Sequence, residues 1–280
     1  MELIVFDLDG TLLNKSSRIS PYTRETLRRL TQRGIAYTVA TGRALHGAAD
    51  ILEGNGFALP QIFKNGVMIW DPSDERYSHH HLLTLDEIGH VADAFLRHDI
   101  TPFFFTLEPG NRHAAYHAEL RQPVEHKLVK SFRKERDLPV RPLSELPADA
   151  DITNISAVGP EIKIRSVADM IADEPQLVAY MGNAIEDRRL SWIDIHHESG
   201  SKGGAVQHLK RELGFERVVC FGDSDNDLSM FQSADEAYAP ENAKDSIKAA
   251  ATSIIGHHDA DGIARFLRER FALDEMSTRD

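Results

Sequence analysis

The first forty residues constrain the fold most. An unbroken apolar run, Leu3-Ile4-Val5-Phe6, precedes a helix pattern carrying Leu27 and Leu30, and a second apolar run follows from Ile35 to Ala40. Ser20 reads as the N-cap of that helix, Pro21 as its first residue and Gly34 as its stop, which bounds it at 21–33. Strand, helix and strand in so short a span imply parallel strands joined by a right-handed crossover. The chain therefore starts as an α/β protein.

Directly after the first strand stand Asp7-Leu8-Asp9-Gly10-Thr11. Open α/β sheets bind ligands at the carboxyl ends of their strands. If the backbone stays extended through Asp9, both carboxylates point the same way, and Gly10 allows a sharp turn. Two such acids repel unless a cation lies between them or one holds a proton.

The rhythm continues with a helix at 44–52 and a short strand at 62–64 ending at Asn65-Gly66, and then breaks off. Residues 71–81, with Pro72, Ser73, Asp74 and three histidines, read as a linker. From 84 to 196 the expected order is a helix at 85–97, strands at 101–107 and 112–117, a helix at 117–134 and a Pro-rich loop at 137–150. A strand at 152–158, a helix at 162–172 and strands at 177–182 and 190–196 complete it. Strands without crossover helices suggest a mainly antiparallel sheet with helices on one face. The α/β rhythm then returns with helices at 202–213, 226–233, 242–250 and 260–271 and strands at 217–221, 236–239 and 252–255; residues 273–280 are expected to fray. The predicted architecture is a doubly wound, Rossmann-like parallel core made of residues 1–78 and 200–280, interrupted by an inserted α+β domain at 79–199. A length of 280 residues suits two domains.

Composition narrows the partners. A net charge of −12 argues against a broad nucleic-acid surface. No apolar stretch approaches the ~20 residues that span a bilayer, and the start lacks a secretory pattern, so a cytoplasmic protein off the membrane is expected. The single cysteine, Cys220, lies in the apolar run Val218–Phe221 and fits a reducing compartment. Monomer and homodimer are both open.

Four polar groups fall where parallel strands or their turns end: Asp7/Asp9, Thr41-Gly42-Arg43, Ser201-Lys202-Gly203, and Asp223 to Asp227. Together they hold a lysine, a threonine hydroxyl, glycine-rich backbone and at least three carboxylates. That set suits a phosphoryl group held with a hard divalent cation, because phosphoryl transfer asks mainly for positioning and charge neutralisation. Mg²⁺ needs only a few oxygen ligands, which Asp7, a carbonyl near Asp9 and Asp223 can supply.

These four groups, in this order, resemble the four motifs of the haloacid-dehalogenase-type phosphohydrolases. Asn65-Gly66, Asn242-Ala243, Asp261-Gly262-Ile263-Ala264 and an α+β insertion between the second and third motifs are similar to the Cof-type branch with its type IIB cap. The resemblance implies a Mg²⁺-dependent phosphatase that works through an aspartyl-phosphate on small phosphorylated metabolites such as sugar phosphates. It implies Asp7 as nucleophile, Asp9 as general acid and base, Thr41 on a phosphoryl oxygen and Lys202 offsetting charge. Asp7, Asp9, Asp223 and Asp227 form the implied metal set, and Gly10, Gly42, Arg43, Asn65, Gly66 and Asn226 the implied phosphate or substrate contacts. Two stretches depart from the pattern, His196-His197-Glu198-Ser199-Gly200 before the lysine and Ala239-Pro240-Glu241 before Asn242. A phosphomutase or other phosphotransferase using the same intermediate, and a catalytically silent phosphate-binding protein, are the rival readings.

Other readings weaken on inspection. Asp223, Asp225 and Asp227 imitate half of an EF-hand loop, but Leu228 and Ala234 stand where Gly and Glu are required. The histidine groups 79–81, 196–197 and 257–258 are expected to be solvated, since sequence neighbours diverge. Phe103, Phe104 and Phe105 are expected to alternate between a core and an exposed face.

Overall fold

The computed structural model describes residues 1–135, 138–184 and 189–274. They form two compact units, one of residues 1–80 with 200–274 and one of residues 81–199.

The first unit opens with β1 (Glu2–Phe6), α1 (Pro21–Gln32), β2 (Ala36–Val39), a short α2 (Ala49–Leu52), β3 (Gln61–Phe63), β4 (Met68–Asp71) and β5 (Arg76–His80). Ser20 caps α1 as expected, its side chain accepting from the Thr23 amide at 3.0 Å. Residues 71–81 are not a linker. β4 and β5 pair antiparallel and, with β3, make a three-stranded sheet. Pro72, Ser73 and Asp74 belong to the hairpin connection, and Glu75 at φ 51° completes the reversal. Helix 44–52 is likewise shorter than expected, because Ala48, at φ −125° and ψ −18°, breaks it into a 3₁₀ turn at Leu45–Gly47 and α2.

The second unit follows with α3 (Leu85–Arg97), β6 (Phe103–Glu108), β7 (Arg112–His117), α4 (Pro123–Glu135), β8 (Val140–Pro142), β9 (Ile152–Pro160), α5 (Glu161–Ile171), β10 (Leu177–Asn183) and β11 (Leu190–His197). Its six strands run in the order β10-β11-β9-β6-β7-β8, antiparallel except for β7 with β8. That last pair places a strand inside the expected Pro-rich loop, whose residue 137 lies outside the described residues. The helix expected from 117 starts at Pro123, because the buried Glu125 carboxylate accepts the amides of Thr101, Arg121 and Gln122 and holds the chain before it in a turn. Phe104 packs under α3 and α5, while Phe103 and Phe105 pack against Val129 and Phe132 of α4. All three phenylalanines are buried, so helices cover both faces of the sheet there, contrary to expectation.

The chain then completes the first unit with α6 (Lys202–Glu212), β12 (Arg217–Phe221), α7 (Leu228–Ser233), β13 (Glu236–Pro240), α8 (Asp245–Ala250), β14 (Ser253–Ile255) and α9 (Gly262–Arg270). The end expected to fray, 273–280, begins in the core, where Leu273 is buried and its carbonyl accepts from Arg29 Nη1 at 2.9 Å; residues 275–280 lie outside the described residues. Five strands pair in parallel in the order β14-β13-β12-β1-β2. Alternation along β1 divides the core. Ile4 and Phe6 pack with Leu27, Leu30, Ile263 and Leu267 of α1 and α9. Leu3 and Val5 pack with Val206, Leu209, Met230 and Ile247 of α6, α7 and α8. Each such fully buried side chain contributes on the order of 1.5–3 kcal/mol. The fold is the expected doubly wound sheet, and its strand order reverses at β1. Ligands bind at such switch points, outside the carboxyl ends of the strands. No helix among the described residues is long and apolar enough to cross a membrane.

Candidate active site

β1 and β12 end side by side, and the Asp7 amide still donates to Phe221 O at 2.9 Å, so the loops that follow start from a common edge. Asp7 is buried at 5% exposure. After it the chain coils: Leu13 N bonds Leu8 O at 2.9 Å while Leu8, Leu12 and Leu13 enter the core. Gly10 sits at φ +75°, and a Cβ there would come within 2.4 Å of Asp223 Oδ2. The turn and the close approach both require glycine.

This coil separates the two aspartates of the motif. Asp7 turns inward, and Asp9 turns outward, its side chain 53% exposed. Arg43 grips Asp9 through both oxygens, Nε to Oδ2 at 2.7 Å and Nη2 to Oδ1 at 2.6 Å. The hydrogen bond to Asp9 comes first among the causes that raise the Arg43 pKa.

Lys202 opens α6 and is wholly buried. Its Nζ donates to Asp7 Oδ1 and to Asp227 Oδ1, both at 2.6 Å. Asp227 spends its other oxygen on the amides of Asp223, at 2.8 Å, and Ser224, at 2.9 Å. That fixes the loop after β12, from which Asp223 accepts a long hydrogen bond from Thr11 Oγ1 at 3.4 Å. Ligand oxygens of Asp7, Asp223 and Asp227 all lie within 4.8 Å of one another, forming a group able to hold a metal ion.

Charge in this pocket is unbalanced, with three carboxylates against one ammonium. Burial, then the nearby Asp227 and Asp223, raise the Asp7 pKa well above the usual carboxylate range despite the pull of Lys202. Burial and Asp227 push Asp223 up to about 6. Burial opposes the Lys202 charge, but the attraction of Asp227 and Asp7 outweighs it and raises the lysine pKa. A hard divalent cation fits this oxygen-only set and would relieve its excess negative charge.

Thr41 follows β2, buried, its hydroxyl accepting from Arg43 N at 3.2 Å. It caps no helix, since Ala44 precedes the next helical turn. Asn226 Nδ2 donates to Asn65 Oδ1 at 2.9 Å, which joins two of the expected phosphate contacts to each other. Gly42 lies beside that pair, its Cβ position 3.0 Å from Asn65 Oδ1. At φ +106°, Gly66 backs onto the Ser201 carbonyl, where a Cβ would fall 2.2 Å away. Gly66 is thus a packing residue ahead of Lys202.

Asn242 is absent from the expected site set, yet its Nδ2 holds the Gly10 carbonyl at 2.7 Å and its Oδ1 accepts from His258 N at 3.2 Å. Its signal is the Asn242-Ala243 dipeptide just past a parallel strand. Asp261 similarly anchors Ser20 and Thr23 at the start of α1. The histidines are less solvated than expected: His196 is buried, and His258 Nδ1 bonds Leu13 O at 2.6 Å. Among the described residues the aspartate group is the one cluster able to hold a metal.

The haloacid dehalogenase-like hydrolase family model matches residues 4–267. A 5-amino-6-(5-phospho-D-ribitylamino)uracil phosphatase of Bacillus subtilis is 27% identical over 97% of this chain and 98% of its own length. A pyridoxal phosphate phosphatase of Escherichia coli is 25% identical over 95% of this chain and 97% of its own. The solved structure of a subclass IIB sugar phosphatase, 20% identical, shares the fold with a TM-score of 0.76 over 98% of this chain and 100% of that one. The chain belongs to the haloacid dehalogenase-like hydrolases, as an enzyme of their phosphatase branch.

Proposed function

We propose that this enzyme is a Mg²⁺-dependent phosphomonoester hydrolase of the cytoplasm, acting on small phosphorylated metabolites through a phosphoryl group carried on Asp7. The observation that carries the reading is Lys202, a buried ammonium 2.6 Å from both Asp7 and Asp227, two of the three aspartates whose ligand oxygens cluster within 4.8 Å. Stability alone calls for no charge cluster there, since replacing all members of a buried ion-pair group by apolar residues of similar volume is often neutral or stabilising.

In the proposed reaction an Asp7 carboxylate oxygen attacks phosphorus in line, and the bond to the leaving oxygen breaks as Asp9 gives that oxygen its proton. Asp9 then takes a proton from water whose oxygen attacks the same phosphorus. The Asp7–phosphorus bond breaks, and phosphate leaves. Lys202 holds Asp7 in place throughout, and Thr41 donates to a phosphoryl oxygen. Asp7, Asp223 and the Asp9 main chain are the proposed Mg²⁺ ligands. Both Asp227 oxygens are already engaged, which gives that residue the supporting role. Mg²⁺, when bound, supplies neutralisation of the phosphoryl charge. Residues 81–199 are the proposed source of selectivity for the leaving group, and two relatives named for different phosphate esters, an aminopyrimidine and pyridoxal, support a family whose leaving group varies.

The test is phosphate release from a broad phosphomonoester panel with Mg²⁺ and no added acceptor alcohol. Turnover is expected for the wild type, with loss on chelation and in Asp7→Asn, whose circular dichroism stays native. Unchanged turnover in Asp7→Asn would sink the assignment, and release only with an acceptor present would make it a phosphotransferase.

A further inference from the structure

An open sheet edge is a template for any further strand, and chains blunt such edges with charge, proline or brevity. β8 is three residues long and contains Arg141 and Pro142. β14 is equally short. β5 contains Arg76 and two histidines. β2 continues through an Ala40–Ile62 bridge into β3. β10 has none of these devices. Its seven residues, Leu177-Val178-Ala179-Tyr180-Met181-Gly182-Asn183, include no charge and no proline. It ends its sheet and pairs with β11 on one side.

The register shows which main-chain groups β10 turns outward. Ala184 N donates to Leu190 O at 2.9 Å and Glu198 N to Gln176 O at 2.8 Å, in line with the β10–β11 register, so the even-numbered residues bond β11. The odd-numbered residues point their N–H and C=O groups to the open edge. Glu174 O takes the Leu177 amide at 3.2 Å. Among the described residues, none hydrogen-bonds the outward main-chain groups of Ala179 and Met181. These groups complement themselves. A second β10 laid antiparallel about a twofold axis at Tyr180 sets Ala179 against the partner's Met181, and Met181 against the partner's Ala179, each pair exchanging both bonds. The Leu177 carbonyl then meets the amide of the partner's Asn183. Tyr180 faces Tyr180 of the partner subunit in a non-hydrogen-bonded pair, where side chains stand closest. A chain of net charge −12 meets its copy here without one charge in the paired segment. The fit of the strand to its own inverse names the occupant as a second copy.

We propose that β10 joins a second copy of this chain edge to edge, antiparallel and centred on Tyr180, so that one sheet runs through the second units of both copies. Sedimentation equilibrium of the full chain over a concentration series should reveal a species of twice 31.4 kDa. Met181→Pro deletes an outward N–H and spares the bonds to β11, which is where an edge strand accepts proline. It should raise the dissociation constant of the dimer by about tenfold or more, the size of the hydrogen bonds lost from the two copies. Tyr180→Lys sets like charges opposite each other across the axis and should weaken the dimer likewise, as should Tyr180→Glu. Mixing these two variants in equal amounts should restore the dimer, because lysine then faces glutamate. Circular dichroism checks that each variant folds, and if Met181→Pro does not, the Tyr180 variants decide alone. A chain that stays monomeric up to about 1 mM, where even weak pairs assemble, overturns the proposal. So does a dimer that the Tyr180 variants leave intact, or a mixture of the two that stays apart.

Discussion

Arg43 closes on Asp9 through two hydrogen bonds of 2.7 and 2.6 Å, clamping the residue proposed to move protons. For Asp9 to protonate a leaving oxygen this fork must open. Arg43→Ala should change stability by less than about 1 kcal/mol, since the pair is partly exposed, while shifting kcat. Asp9→Asn should slow alkyl phosphate hydrolysis by roughly 10²–10⁴-fold, and p-nitrophenyl phosphate, with its better leaving group, by much less. Steady-state rates on both substrates, with urea midpoints alongside, check the pair; an alkyl ester hydrolysed by Asp9→Asn at the wild-type rate would assign the proton to another group.

Lys202 is the opposite case. Removing a buried partner strands the remaining charges, so Lys202→Met should cost about 3–5 kcal/mol by denaturant unfolding and abolish phosphate release. Full stability in that variant would mean that Asp7 and Asp227 take up protons to compensate, and a proton-uptake measurement would reveal it.

Gly10→Ala tests the turn that brings the two loops together. The new methyl would meet Asp223 Oδ2 at 2.4 Å with φ at +75°. The left-handed conformation alone costs roughly 1–2 kcal/mol, and Asp223 must move. Isothermal titration should show Mg²⁺ affinity lower by about tenfold or more, the scale of an altered ligand environment.

Far from the site, Arg270 reaches both oxygens of Glu236 and Tyr238 donates to it as well. These contacts, Arg270 first, hold the Glu236 pKa at about 2 against an ordinary 4.5. A depressed carboxyl stabilises the fold above its unfolded pKa and loses that contribution as pH falls, here between 4.5 and about 2. Glu236→Gln should therefore be less stable than wild type at neutral pH, and the gap should close toward pH 2. Because the Glu236 side chain keeps 20% of its surface in solvent, the gap should also shrink in high salt. Urea unfolding across that range measures it.

Much of the parallel core is legible in the sequence because strands buried on both faces read as continuous apolar runs, as Leu3–Phe6 and Val218–Phe221 do. β5 is not, because Arg76-Tyr77-Ser78-His79-His80 carries no apolar alternation and is a strand only through its pairing with β4. Helix starts fail where a side chain elsewhere captures backbone amides, as Glu125 does. Within the site, Lys202 and Asp223 can be named from spacing, whereas the divergence of Asp7 and Asp9 cannot. It follows from Leu8, whose backbone turns helical between the extended Asp7 and Asp9, whereas the assumption of an extended backbone through Asp9 points both carboxylates the same way. Asn242 escapes notice because its work is on a main-chain carbonyl.

β1 borders β2 on one side and β12 on the other, strands separated in the chain by the whole inserted unit. On a ribosome, the edge of β1 that will receive residues 217–221 stays open while every residue of the insertion is made. Such distant pairing slows folding and leaves an apolar edge exposed to other chains. The nucleophile proposed here is thus made first and gains its counter-charge much later, so a nascent chain should be inert toward phosphate esters and most in need of chaperones over the same interval.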